Sequence, residues 1–226
     1  MLTAIIVAGG SSQRMGFDKL LALLGDKPVL AHTMEAFERA DSVQEIILVA
    51  RAERVGEFEK LVAQGDFKKV RHVVPGGERR QDSVRKGLDA LSPATRYIAV
   101  HDAARPLVLP GQVERLFALA REEGAASLAA PVTDTLKRAD ENQRVIGSVA
   151  RDSLHAMQTP QIFRRDLLER AYAAVAAEKL TVTDEVSAVE HIGGRVLLLP
   201  NDEWNLKITY PRDLLLAQAV VARRAG

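Results

Sequence analysis

Cysteine is absent from the 226 residues, which excludes disulfides, thiolate metal sites and thiol nucleophiles. An excess of charge of either sign is absent too. Lys plus Arg number 31 and Asp plus Glu 30, for a formal net charge of +1. That balance argues against a surface dedicated to nucleic acid and against an acidic disordered tail. Basic residues that handle a phosphate must therefore form a local cluster. No apolar run reaches the roughly 18 residues that a membrane span needs. The opening MLTAIIVAGG has neither a basic stretch nor a long apolar one. No signal peptide is expected, and a soluble cytoplasmic protein is. No second histidine stands at metal-ligand spacing from His101, and there is no internal repeat, low-complexity tract or inter-domain linker. What is present is a hydrophobic fraction of 47%, enough for a large core, in a length that fits one domain spanning 1–226.

Strand-length apolar runs alternate with helix-length amphipathic segments. Strands are expected at 3–8, 45–50, 70–74, 97–101, 127–131 and 196–199. Several are unbroken β-branched or Leu/Ala runs, the pattern of strands buried on both faces. Helices are expected at 28–40, opening on Pro28 as a first helical residue, and at 79–91, 111–123, 164–178, 184–192 and 211–224. Such alternation implies an α/β fold, with a mostly parallel sheet and helices on both faces. Ligands then bind beyond the carboxyl ends of the strands. Residues 133–150 break the pattern with two short segments around the polar turn Asp140-Glu141-Asn142-Gln143. They read as a protruding β-arm, marginal alone and therefore expected to pack on another subunit.

The first strand runs into Gly9-Gly10-Ser11-Ser12-Gln13-Arg14-Met15-Gly16-Phe17-Asp18-Lys19. Small residues let backbone N–H groups turn toward an anion, Arg14 offers a planar fork for phosphate, and Lys19 adds a mobile charge. The spacing fails G-x-G-x-x-G, and Gly16 is followed by Phe17 rather than by the Lys of a P-loop. An ordinary βα turn with solvated charges is the competing reading. The loop resembles the nucleotide-binding signature of nucleotidyltransferases acting on sugar phosphates. That resemblance implies a single-domain, Rossmann-like three-layer sandwich with a twisted sheet.

Further along, Val100-His101-Asp102-Ala103-Ala104-Arg105-Pro106 puts a carboxylate at a strand's carboxyl end, well placed to hold Mg²⁺ beside a triphosphate. A structural Asp102–Arg105 pair in a tight turn is the alternative, and His101 reads as a packing or hydrogen-bonding residue. Gly76-Gly77-Glu78-Arg79-Arg80-Gln81-Asp82-Ser83 allows close approach to a planar base, or else is a glycine turn with a helix start. Thr183 is a candidate N-cap, with Asp184 and Glu185 in the first turn after it. Asn205-Leu206-Lys207-Ile208-Thr209 reads as a short strand, and Asp213 falls in the first turn of the last helix.

Together, AGGSSQRMGFDK, GGERRQDSV, VHDAARP, DTLKR, LHAMQTPQIF, TDEVSAVE and NLKITYPRDL resemble the 2-C-methyl-D-erythritol 4-phosphate cytidylyltransferase family of the non-mevalonate isoprenoid pathway. The resemblance implies CMP transfer from CTP to methylerythritol phosphate with release of pyrophosphate. It implies that Arg14, Lys19, Arg151 and Lys207 are catalytic, that Ala8, Gly9, Gly10, Ser11, Gly77, Asp82 and Ser83 bind CTP, and that Asp102 holds Mg²⁺. It also implies that Arg105, Thr135, Thr159 and Thr183 line the methylerythritol phosphate site. The chain would be a homodimer through the arm about 133–150, with Thr135 and Arg151 serving the neighbour's site.

The physical logic is coherent. A sugar-phosphate oxygen is already ionised at neutral pH, so no general base is required. The barrier lies in joining two polyanions, and clustered Arg, Lys and Mg²⁺ lower it by positioning and electrostatics. Ribitol-5-phosphate cytidylyltransferase shares much of this signature and is the alternative within the class. A non-catalytic nucleotide sensor is the alternative outside it, and the glycine spacing disfavours a nicotinamide oxidoreductase.

Overall fold

The computed structural model describes residues 1–10 and 15–225, the last by its backbone only. Its centre is a seven-stranded sheet in the order β11-β7-β10-β6-β1-β4-β5. Strands β1 (Leu2–Ala8), β4 (Val43–Ala50), β5 (Val70–Pro75) and β6 (Tyr97–Asp102) run parallel to one another. Strand β7 (Ala125–Pro131) pairs in parallel with β11 (Leu197–Pro200), and β10 (His155–Arg164) lies antiparallel between β6 and β7. Two small antiparallel pairs stand apart from the sheet: β2 (Leu23–Leu24) with β3 (Lys27–Pro28), and β8 (Leu136–Ala139) with β9 (Val145–Val149).

The unbroken apolar strands have a simple cause. In β1, Leu2, Ala4, Ile6 and Ala8 face one core while Ile5 faces the other. Alternation between two buried faces leaves no polar position to write. The first core is closed by α1 (Val29–Glu38), α2 (Val55–Gln64), α4 (Pro110–Glu123) and α7 (Pro211–Ala225). The second is closed by α3 (Arg80–Asp89), α5 (Arg165–Ala177) and α6 (Glu185–His191). Among the described residues, no helix is long and apolar enough to cross a membrane.

Several expectations are corrected. Pro28 caps α1 from extended backbone (φ −61°, ψ 149°) and does not open it, because Lys27–Pro28 pairs with Leu23–Leu24. Strand β10 and helix α2 lie outside the expected elements. Strand β10 carries buried Thr159 and Gln161 instead of an apolar run, and only Phe58 of α2 is buried. Segment 205–209 is not a strand and joins no sheet. Thr183 is not the cap of α6. Asp184 is, accepting a hydrogen bond from Ser187 N.

Helix α3 carries the residues that reach the site, and its depth is set by Gly87. A Cβ there would lie 2.6 Å from Ile5 Cγ2 and 3.2 Å from Val49 Cγ2, stiff β-branched groups that cannot swing aside. Gly87→Ala gains about 1 kcal/mol of helix propensity but overpacks the core by about 1–3 kcal/mol. Urea unfolding should therefore show a net loss of stability. A stabilised variant would mean that α3 does not press on β1.

Candidate active site

The parallel arrangement brings the carboxyl ends of β1, β5 and β6 to one edge of the sheet. A cavity of about 530 Å³ opens there, lined by Ala8 at the end of β1, Gly9 and Gly10 after it, Gly77–Arg80 and Ser83 around the start of α3, Asp102, Lys19, Lys207 and Thr209. A second cavity of about 380 Å³ is lined by Arg105, Met157–Thr159, Gln161, Thr183, Asp184 and Ser187. Arg80, Asp102 and Lys207 line both. They form the seam between the two spaces.

The glycines at this edge serve close packing. Ser83 Oγ accepts from Gly77 N at 3.2 Å. A Cβ on Gly9 would lie 3.1 Å from Ser83 Oγ, and one on Gly76 2.6 Å from it. Ser83 thus draws the loops after β1 and β5 together. This packing is what the glycine-turn reading of Gly76-Gly77 requires, with Ser83 at its centre.

Asp102 is 8% exposed and surrounded by cations. Its Oδ1 accepts from Arg80 Nε at 3.0 Å, its Oδ2 from Lys207 Nζ at 2.8 Å, and Arg105 Nε stands 3.8 Å from Oδ2. Burial alone would raise this carboxyl, but the Arg80 and Lys207 charges outweigh it and hold Asp102 well below the usual carboxylate range. The carboxylate is ionised at any working pH. Arg80 meets a second carboxylate, donating through Nη1 and Nη2 to Glu185 at 2.8 and 2.9 Å. Burial works against its charge, but Glu185 and Asp102 raise its pKa above the ordinary arginine value. Arg105 is a strut. It donates to Asn205 O at 2.7 Å, and burial lowers its pKa.

Segment 205–209 carries Lys207 to the seam without a sheet to hold it. Arg105 takes its first carbonyl, Asn205 Nδ2 donates to Gln158 Oε1 and Thr159 O, and Ile208 N donates to Ala104 O at 2.8 Å. Lys19 Nζ donates to Ile208 O at 2.8 Å, tying the first loop to the same segment. These anchors, all but one made by side chains, replace the strand pairing that the sequence suggested.

The predicted site residues divide clearly. Ala8, Gly9, Gly10, Lys19, Gly77, Ser83, Asp102 and Lys207 gather at the first cavity, and Arg105, Thr159 and Thr183 at the second. Ser11 and Arg14 lie outside the described residues. Asp82 turns away, gripped by Arg79 Nε and Nη2 at 2.9 Å, and lines a third cavity between α3 and α5 rather than the first. Thr135 and Arg151 are exposed and line neither cavity; Arg151 donates to Thr133 O beside the β8–β9 hairpin. Sequence reasoning missed Arg80 and the site role of Glu185. The only signal was the Arg79-Arg80 doublet at a helix start. Among the described residues, no group of three or more His, Cys, Asp or Glu side chains could hold a metal ion. Asp102 offers one ionised hard oxygen ligand instead, which suits Mg²⁺ that takes its remaining ligands from phosphate and water.

His101 locks the turn that presents Asp102. Asp102 N donates to Thr159 Oγ1 at 3.0 Å, Thr159 Oγ1 lies 3.1 Å from His101 Nδ1, and His101 Nε2 lies 3.1 Å from Arg105 O. A neutral imidazole protonated at Nε2 satisfies every contact. Burial pushes its pKa down from 6.5 to about 3. Between these values the unfolded chain binds the extra proton, so stability falls as pH drops below 6.5. His101 alone should account for about 2 kcal/mol of loss from pH 7.5 to pH 5. Urea unfolding of the metal-free protein at the two pH values should show that loss, and His101→Gln should flatten it. An unchanged pH dependence in His101→Gln would deny the neutral buried imidazole.

Comparison with known proteins agrees with this geometry. The family model described as 2-C-methyl-D-erythritol 4-phosphate cytidylyltransferase matches residues 2–223. The proteins of that name from Alkaliphilus metalliredigens and Salinibacter ruber are 38% and 41% identical to this chain. The matches cover 99% and 97% of the chain and 94% and 92% of those proteins. The crystal structure of 4-diphosphocytidyl-2C-methyl-D-erythritol synthase from Anaerococcus prevotii superposes with a TM-score of 0.87 at 29% identity, covering 99% of this chain and 96% of that one. With its fold and nearly its whole length in agreement, the chain belongs to the 2-C-methyl-D-erythritol 4-phosphate cytidylyltransferase family.

Proposed function

We propose that the chain transfers CMP from CTP to 2-C-methyl-D-erythritol 4-phosphate, giving 4-diphosphocytidyl-2-C-methyl-D-erythritol and pyrophosphate in isoprenoid biosynthesis. The observation that carries this reading is the seam. Two cavities, one large enough for a nucleotide, share Arg80, Asp102 and Lys207. A reaction that joins two phosphates needs its cations where the two sites touch.

The larger cavity takes CTP. Backbone N–H groups at Gly9 and Gly10 face the triphosphate, and the loop with Gly77 and Ser83 faces the base. Ser11 and Arg14 join them by family resemblance. Methylerythritol phosphate enters the second cavity beside Arg105, Thr159 and Thr183. One of its phosphate oxygens attacks the α-phosphorus of CTP, a new P–O bond forms, and the bond to the β-phosphate oxygen breaks, releasing pyrophosphate. No proton has to move. Lys19 and Lys207 oppose the charge that builds on the α-phosphoryl oxygens and hold the two anions together. Asp102 would hold Mg²⁺, whose chemistry when bound is to neutralise triphosphate oxygens and orient the leaving group. We place the reaction in the cytoplasm.

We further propose a homodimer through the β8–β9 arm, with Thr135 and Arg151 reaching the neighbour's second cavity. Val145 and Ile146, each 65% exposed on this small hairpin, favour burial against another protein surface.

Pyrophosphate release should appear with CTP, Mg²⁺ and methylerythritol phosphate, and not with ribitol 5-phosphate. Release with ribitol phosphate alone would overturn the substrate, and CTP binding without release from either would favour a sensor. Lys19→Ala and Lys207→Ala should each lower kcat by orders of magnitude with unchanged circular dichroism. A near-normal rate in either variant removes that lysine from its role. In sedimentation velocity, Val145→Asp/Ile146→Asp should shift a dimer to a monomer. An unchanged species would remove the arm from the interface.

A further inference from the structure

Glu185 is the first residue of α6 and 0% exposed. It lines neither cavity, so it touches neither reactant. It does not cap its helix, because Asp184 does. A carboxylate buried this completely costs several kcal/mol unless its oxygens are fully partnered, and these are. Oε1 accepts from Arg80 Nη1 at 2.8 Å and from Tyr172 Oη–H at 2.9 Å, while Oε2 accepts from Arg80 Nη2 at 2.9 Å. Tyr172 is itself buried, at 3% exposure. One buried tyrosine and one buried glutamate are thus devoted to a single arginine.

The effect on that arginine is specific. A two-point grip fixes the plane of a guanidinium. With both Nη atoms engaged, Arg80 turns Nε, and only Nε, to Asp102 Oδ1 at 3.0 Å. Asp102 Oδ2 is left to Lys207 Nζ at 2.8 Å, a mobile partner on a flexible stem. The charge matters as much as the direction. Without Glu185, Arg80, Lys207 and Arg105 would set three full positive charges around one carboxylate, and a divalent cation would meet all of them. Glu185 offsets the charge of Arg80 at two-point contact. Arg80 then orients Asp102 while the cluster presents less net positive charge to a cation.

We propose that Glu185, backed by Tyr172, is a positioning residue that keeps Asp102 available to a divalent cation by fixing Arg80 and offsetting its charge. The inference rests on the assignment of Asp102 to the metal. Glu185 acts through Arg80 and is not itself a ligand.

The test is the Mg²⁺ dependence of CTP binding, measured by calorimetry without methylerythritol phosphate, so that no turnover intervenes. Glu185→Gln keeps the shape and removes the charge. It should raise the Mg²⁺ concentration at half-saturation at least tenfold, while CTP affinity in EDTA holds or tightens because Arg80 is released. Tyr172→Phe removes one hydrogen bond, should shift the same midpoint in the same direction by less, and serves if Glu185→Gln fails to fold. Asp102→Asn is the reference and should abolish the Mg²⁺ dependence. If Asp102→Asn leaves the dependence intact, the metal assignment falls and this inference with it. If Asp102→Asn abolishes it but Glu185→Gln and Tyr172→Phe match the wild type, the positioning role alone is overturned. Equal weakening of CTP binding with and without Mg²⁺ would mean a structural role only, and would overturn it as well.

Discussion

An ionised carboxylate held at the meeting point of two cavities is the constraint on which the site depends. Asp102 is nearly buried, yet its charge persists because Arg80 and Lys207 each donate to one of its oxygens. Each partner arrives on a different element: Arg80 at the start of α3, Lys207 on the unpaired segment 205–209, and the Thr159 hydroxyl under the Asp102 amide on β10. The antiparallel entry of β10 between β6 and β7 makes this possible. It sets Thr159 beside the end of β6 while β1 sets Gly9 on the other side. A parallel strand at that place would have carried its own carboxyl end to the edge instead.

The even charge balance of the chain reads differently once the site is assembled. Neutrality overall does not prevent a local excess of positive charge. At the seam, Arg80, Arg105 and Lys207 stand against Asp102 within reach and Glu185 behind it. Of these acids, Glu185 is spent on Arg80 and Asp102 is shared. Lys19 adds a cation from the first loop, while Glu78 lines the first cavity and Asp184 and Glu190 line the second, so the cationic excess is confined to the seam. The site is built to be completed by anions. A low-dielectric pocket makes each of those contacts stronger than it would be in water.

Much of the fold was legible because physics left little choice. A strand buried on both faces has to be apolar throughout, so β1 and β4 announce themselves. Strand β10 did not, because its work at the site demands Thr159 and Gln161 where an apolar run would otherwise stand. Segment 205–209 has strand-like residues, yet Arg105, Lys19 and Asp213 meet its backbone through side chains, a solution no local pattern reveals. At the site, Lys19, Asp102 and Lys207 could be named from motifs. Arg80 could not. Adjacent arginines at a helix start point in different directions, and only the partner of Arg80, 105 residues away at Glu185, decides which one turns inward. Asp82 shows the reverse. The family resemblance assigned it to CTP, but Arg79 grips it from three residues away and it lines a cavity other than the first.

The most direct measurement is a crystal structure of the chain with CTP and Mg²⁺. The expected density has the triphosphate along Gly9 and Gly10, the base against Gly77 and Ser83, and the ion on Asp102 Oδ2, with Lys207 released from Asp102 toward phosphate. Arg80 should stay locked between Glu185 and Asp102. A nucleotide seated in the cavity of Arg105 and Thr183, or an ion bound away from an intact Asp102–Lys207 pair, would contradict it.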